Sequence, residues 1–286
     1  MKKVIRKSMI IRPSGRSSDY ITPSFGFGCL YKCSYCYMRR HVPNGLSIAT
    51  NTKDIINAID KHLNTLSWPK EPNQTHEVYY TYDFSCNEDY VLHAKYHDWE
   101  MLFDYFKNNN KIMGTAATKY VNDTLLDYDS NRKVRIRFSL MPQSLSDILE
   151  PKTSKILDRI KAVNRFYNAG YDVHLNYSPV IMYKNHNQEY QELFELVDKH
   201  VDSSIKKHIK AETIFLTHNV KMHEYNLKNN IDSENLLWNP SIQETKTSQY
   251  GSKNIRYQYK IKRAFINRFL QNHNNIIPWQ QIRYIF

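Results

Sequence analysis

The chain has 286 residues, and its 40 Lys and Arg against 28 Asp and Glu give a net charge of +12 at pH 7. Charged residues are 24% and hydrophobic ones 41%, which excludes a disordered polyampholyte and suits a chain with one substantial core. No apolar run approaches the ~20 residues of a spanning helix, and four cysteines do not make a secreted disulfide scaffold.

In chain order, Met1–Ser8 is basic but leads into no apolar segment of a signal peptide, so a cytoplasmic protein without a membrane partner is expected. Residues 1–22 read as an extended lead-in with a turn at Arg12–Arg16. A short strand is expected around Phe25, entering a cysteine-bearing loop at 26–41. Residues 52–66 carry Ile55, Ile56, Ile59, Leu63 and Leu66 on one helical face. Val78–Tyr82 is a β-rich run that ends in the Asp83–Asp89 loop, where Cys86 sits. A helix bearing Trp99, Leu102, Phe103 and Phe106 follows and stops at Asn108–Asn110.

The alternation continues with a strand at Ile112–Ala117 and a short helix at 121–128. Val134, Ile136, Phe138 and Leu140 form one face of a strand, with Arg135, Arg137 and Ser139 on the other. Thr153 or Ser154 should cap a helix carrying Ile156, Ile160, Val163 and Tyr167, closed by Gly170. A strand at Val173–Val180, a helix at 187–200 and a strand at Thr213–Leu216 complete the series. Strands alternating with helices imply parallel βαβ units, and about six of them fit between 22 and 220. The fold class expected is α/β, a partial (β/α)6 TIM-like barrel over 1–220. A helical and hairpin-like appendage over 221–286 is placed to contact nucleic acid.

Cys29, Cys33 and Cys36 are spaced C-x3-C-x2-C, with aromatics between them. Buried small hydrophobes would not be gathered among Gly, Lys, Ser and Tyr in one loop. A zinc site of these three with His41 or Cys86 remains open, although the second C-x2-C pair usual for structural zinc is missing. The third reading is a [4Fe–4S] cluster, in which three thiolates hold three irons and leave the fourth open. Both the cysteine loop and the Cys86 loop follow strands, so both should lie at the catalytic rim of the barrel.

The C-x3-C-x2-C spacing with an aromatic before its last cysteine resembles the signature of radical S-adenosylmethionine enzymes. Further stretches resemble the spore photoproduct lyase family of DNA-repair enzymes. These are Gly28-Cys29 through Cys33-Ser34-Tyr35-Cys36-Tyr37-Met38, Phe84-Ser85-Cys86-Asn87-Glu88-Asp89, Ala117-Thr118-Lys119-Tyr120 and Arg137-Phe138-Ser139-Leu140. Glu150-Pro151-Lys152-Thr153-Ser154 with Arg159-Ile160, Ala169-Gly170-Tyr171 and Ser178-Pro179-Val180-Ile181 continue the likeness in order. Gln249-Tyr250-Gly251 and Arg256-Tyr257 resemble the family's basic, aromatic closing region. The early part of its usual N-terminal extension has no counterpart before the cluster loop.

That resemblance implies a radical carbon–carbon lyase that restores two thymines from a methylene-bridged thymine dimer, through a 5′-deoxyadenosyl radical. Cys29, Cys33 and Cys36 would hold the [4Fe–4S] cluster, with S-adenosylmethionine as the second cofactor. Cys86 would give hydrogen to the product radical, and Tyr37 and Tyr35 would return it. Lys119, Ser139, Glu88 and Tyr35 are the cofactor candidates; Glu88 departs from the family, which tends to place a small hydroxyl residue there. The partners implied are UV-damaged DNA and a reducing electron donor such as flavodoxin or ferredoxin. The cationic excess agrees, with Arg39, Arg40, His41, Lys253, Arg256, Tyr257 and Lys260 as phosphate or base contacts. A solvated basic face is the plainer reading of any one of them. The alternatives are the same chemistry on another nucleic-acid lesion or nucleoside, or a zinc-stabilised nucleic-acid binder without catalysis.

Overall fold

In the computed structural model, which describes residues 1–247, 251 and 253–286, a curled parallel sheet carries the chain. Its strands in sequence and spatial order are β1 (Tyr20–Ile21), β2 (Tyr80–Asp83), β3 (Ile112–Thr118), β4 (Val134–Leu140), β5 (Asp172–Val180), β6 (Ala211–Phe215) and β7 (Ile282–Ile285). Each pairs in parallel with the next, and Arg12–Pro13 adds an antiparallel edge to β1. The expected α/β partial barrel is thus observed.

The outer layer follows the hydrophobic periodicity. Helices Thr52–Leu63, Trp99–Lys107, Ile156–Asn168 and His186–His200 bury their apolar stripes against the sheet. Phe138 of β4 meets Phe166 edge-on at 5.2 Å, and each such fully buried ring contributes about 1.5–3 kcal/mol. Gly170 ends the helix Ile156–Asn168 with φ +103°, and a Cβ there would collide with Asp129.

All seven residues of β4 are buried, because its second face fills the barrel interior. Buried charge must be paired, and here the pairs span the sheet. Arg137 bonds Asp83 of β2 at 2.5 Å, Glu212 of β6 at 2.6 Å and Thr115 of β3 at 2.9 Å. Arg283 of β7 takes the other oxygen of Glu212 at 2.7 Å.

Several expectations need correction. The strand expected near Phe25 is Gly26–Phe27, and it belongs to a separate sheet with Lys2–Val4 and Ser47–Ala49. The barrel's first strand is instead Tyr20–Ile21. The helix expected at 121–128 is only the turn Asp123–Leu125, while an unexpected helix, Gln143–Leu149, follows β4. Neither Thr153 nor Ser154 caps the helix at 156, whose first N–H is met by Gln143 Oε1 at 2.8 Å. Thr153 Oγ1 accepts from Arg159 and Ser154 Oγ from the Val121 N–H instead.

The segment expected to lie apart after residue 220 divides in two. Thr217–Asn219, Lys253–Tyr257 and Gln243–Thr247 form an antiparallel sheet beside helices Val220–Lys228 and Glu234–Leu237. Residues 259–286 rejoin the barrel, as helix Tyr259–Ile276 and then β7, which pairs with β6. Among the described residues no helix is long and apolar enough to cross a membrane. Gln249 and Tyr250 lie outside the described residues.

Candidate active site at the barrel mouth

The loops after β1 and β2 meet at the C-terminal ends of the strands, where such folds place their sites. Gly28 N–H donates to Asn87 O at 3.0 Å, joining the cysteine loop to the Cys86 loop. Cys29, Cys33 and Cys36 line one cavity of about 240 Å³ together with Tyr35, Tyr37, Cys86 and Lys119. All four cysteines are free thiols. Burial pushes the Cys29 thiol up to about 12, with Asp89 adding to the effect, and burial also raises Cys33 and Cys36. This environment favours the protonated form of all three sulfurs.

Asp89 builds the wall opposite the cysteine loop. Its carboxylate caps the helix Tyr90–His93 by accepting from Leu92 N–H and also receives Thr118 Oγ1 at 2.8 Å and the Lys119 N–H at 2.9 Å. This ties the Cys86 loop to the end of β3. Lys119 therefore emerges at the cavity, 3.9 Å from Glu150 Oε1 and over the Tyr35 ring at 5.8 Å. Burial works against its charge, but Glu150, Cys33 and Asp89 together outweigh that and hold the ammonium above its usual value.

Glu150 is fully enclosed. It accepts a short hydrogen bond from the Tyr35 hydroxyl and is paired with Arg159 at 3.0 Å. Burial first, and then Glu150, raise Tyr35 far above a normal phenol. Tyr37 follows a different partner set, donating to Asn87 Oδ1 at 2.7 Å and lying against the thiol of Cys86. Cys86 accepts from Arg12 Nη2 at 3.2 Å. Burial and then Asp83 raise its thiol, while Arg12 pulls part of that back. The cavity thus holds a protonated thiol beside a phenol together with the three loop thiols.

Other sequence expectations fare differently. Glu88 borders the cavity, but its carboxylate is fully buried and bonds His93 at 3.0 Å and His97 at 2.9 Å, packed where a Cβ at Gly26 would collide with it. Ser139 lies on the interior face of β4 with Arg137, and its carbonyl accepts from Arg159 at 2.8 Å. Arg39 is occupied inside the cysteine loop, donating to Lys32 O at 2.8 Å. Arg40 donates to His41 Nε2, whose ring packs edge-on against Phe27, so the zinc reading through His41 gains no support.

Tyr257 is 1% exposed and its hydroxyl accepts from Met182 N–H, so it is a core residue and offers no ring to a base. The aromatic presented there is Tyr259, 69% exposed. Arg256 is paired with Glu244 across the hairpin at 3.0 Å, and Lys253 and Lys260 are exposed. Arg256 also lines a groove of about 710 Å³ with Arg12, Arg16, Lys246 and Lys262, and among the described residues no Asp or Glu lines it. Arg12 connects this groove to Cys86.

Glu150, Asn87, Asp89 and Arg12 were given no role from sequence. The first three lie inside the motifs quoted above, which was their signal; Arg12 carried none.

The family model for spore photoproduct lyase matches residues 2–286. The chain belongs to the spore photoproduct lyase family. Spore photoproduct lyase of Bacillus subtilis (strain 168) is 27% identical over 214 residues, covering 73% of this chain and 60% of its own. That of Clostridium acetobutylicum is 26% identical over 213 residues, covering 71% and 60%. The chain thus spans about three-fifths of the length of the curated relatives it matches. Among solved structures, spore photoproduct lyase complexed with dinucleoside spore photoproduct superposes with a TM-score of 0.87 at 20% identity, over 99% of this chain and 82% of that one. A variant of spore photoproduct lyase with bound AdoMet and the same dinucleoside gives 0.87 at 19% identity, over 99% and 82%. At that identity the likeness fixes the fold.

Proposed function

We propose that this chain is a radical S-adenosylmethionine lyase that restores two thymines from the methylene-bridged dimer in DNA. The observation that carries the reading is the shared cavity, which faces the three loop cysteines with a fourth thiol, Cys86, beside a phenol. Three thiols from one loop, Cys33 buried and Cys29 and Cys36 half-buried, form a soft donor set that fits a [4Fe–4S] cluster held by these residues. With S-adenosylmethionine bound, that group supplies one-electron cleavage of the sulfonium and hence hydrogen abstraction from the substrate.

The protein's own residues do the rest. Lys119 presents an ammonium at the strand end for the cofactor's carboxylate. Glu150 fixes both Lys119 and Tyr35, so that neither swings with the loop. Cys86 gives its sulfur-bound hydrogen to the carbon radical left after the bridge breaks, and the Tyr37 hydroxyl returns a hydrogen atom to Cys86 Sγ. The products are two closed-shell thymines, a thiol and a phenoxyl, and the phenoxyl would regain its hydrogen atom from the C5′–H of 5′-deoxyadenosine. The cationic groove beside Arg12 takes the phosphodiester backbone of the damaged strand. A low-potential donor such as flavodoxin or ferredoxin supplies the first electron, and the compartment is the cytoplasm.

The test is anaerobic reconstitution with iron and sulfide. Brown protein that cleaves S-adenosylmethionine, and loses iron in Cys29→Ala, supports the reading. Colourless protein that takes up only zinc would sink it.

A further inference from the structure

Ser34 stands between the second and third cysteines of the loop and is 2% exposed. It makes three hydrogen bonds to segments remote in sequence. Its N–H donates to Leu149 O at 2.8 Å, its carbonyl accepts from Asn226 Nδ2 at 2.8 Å, and its Oγ accepts from Ser233 Oγ at 2.9 Å. Two of the three partners come from 192 and 199 residues further along, in a segment the proposed chemistry does not use.

Asn226 is itself held. It is fully buried in helix Val220–Lys228, and its Nδ2 also donates to Glu234 Oε2. The other oxygen of Glu234 meets His218 Nε2 at 2.9 Å and His223 Nδ1 at 2.6 Å. His223 stacks on Trp238 at 3.7 Å, and His218 lies opposite Ile255 of the hairpin. A single carboxylate therefore gathers a helix, a strand and the cysteine loop. A buried amide shared between a carboxylate and a carbonyl has one orientation that satisfies both, so Glu234 fixes the direction in which Asn226 points.

We propose that Asn226, oriented by Glu234, is a positioning residue for the cysteine loop, setting where Cys33 and Cys36 stand. The inference rests on the cluster reading, because its consequence is the geometry of the cluster those thiols hold. It also makes the hairpin and the cysteine loop mechanically continuous through His218, Glu234, Asn226 and Ser34.

Asn226→Ala, Glu234→Gln and the milder Ser233→Ala test it in two measurements. In the metal-free chain, amide hydrogen exchange over residues 30–38 is expected to quicken about tenfold in the first two variants and less in the third, with exchange in β3, β4 and β5 unchanged. In the reconstituted and reduced protein, the first two variants are expected to shift or broaden the cluster's electron paramagnetic resonance signal when S-adenosylmethionine binds. Wild-type exchange and wild-type spectra in the variants would overturn the proposal, as would faster exchange spread evenly over the barrel. A wild-type chain that takes up no cluster would defeat the cluster reading alone, because the exchange measurement still decides whether Asn226 holds the loop. If Asn226→Ala does not fold, Glu234→Gln, which keeps the Asn226 amide but removes the charge that orients it, decides by the same two readouts.

Discussion

Arg12 donates a hydrogen bond to the sulfur of Cys86 at 3.2 Å, reaching from the edge strand beside β1 to the loop after β2. Sulfur accepts in this contact, so its own hydrogen stays free to face the cavity. The guanidinium also favours the thiolate, against burial and Asp83. Arg12→Gln removes the cation, and the Cys86 thiol should then ionise at higher pH. Alkylation of Cys86 by iodoacetamide at mildly alkaline pH should slow several-fold relative to wild type, measured by mass spectrometry of the Cys86 peptide.

The barrel interior is held by charge. Arg137 is 3% exposed and serves both Asp83 and Glu212. Arg137→Leu leaves two buried or half-buried carboxylates short of a partner. Removing one side of such a network costs about 3–5 kcal/mol. The urea midpoint should fall accordingly, and the Cys86 loop should loosen with it because Ser85 N–H donates to Asp83 Oδ1 at 2.8 Å.

Stability should fall in two stages on acidification. Burial, and then Arg135, push His174 down to about 3 and His76 down to about 4. Unfolded, both take up a proton near 6.5, so their contribution is complete above that value and is lost as pH falls towards 3–4. For Glu212 and Glu234, burial opposes the charge, but Arg137 with Arg283, and His218 with Asn226 and His223, respectively outweigh it together and hold both below the usual range. Their share is present above about 4.3 and is lost only below it. Urea midpoints should therefore begin to drop below about pH 6.5, and His174→Gln should flatten the slope between about pH 6.5 and pH 4.5.

The groove beside Arg12 predicts a salt dependence. Burial, and then Arg256 and Lys246, push Lys262 below its ordinary value, as expected where several cations crowd. A phosphodiester entering there relieves that repulsion. Replacing Lys246 and Lys262 by Gln should weaken binding of an oligonucleotide uniformly across sequences. The slope of log K against log salt should fall by about 2.

The long elements were readable from hydrophobic period because their apolar faces are continuous. Helices at Thr52–Leu63, Ile156–Asn168 and His186–His200 and strands β3, β4 and β5 lie within a residue or a few of their expected bounds. The return of Ile282–Ile285 to the sheet was not readable: the strand is four residues long, and its partner β6 lies some seventy residues earlier. Tyr257 and Glu88 show the matching limit in the site. A tyrosine beside an arginine in a basic segment has the composition of a nucleic-acid contact, yet strand alternation turns Tyr257 inward to the Met182 N–H. Glu88 sits in the right loop, but His93 and His97, five and nine residues on, draw its carboxylate inside. Spacing identified the three loop cysteines, whereas the partners that fix their surroundings, Glu150 and Asn226, come from distant segments and are visible only in three dimensions.

The most direct test uses anaerobically reconstituted, reduced protein with S-adenosylmethionine and the dinucleoside spore photoproduct. The predicted result is conversion of the dimer to two thymines by the wild type, with Cys86→Ala giving about tenfold less thymine and a matching rise in side products. Protein that cleaves S-adenosylmethionine under these conditions yet leaves the dimer untouched would contradict the account.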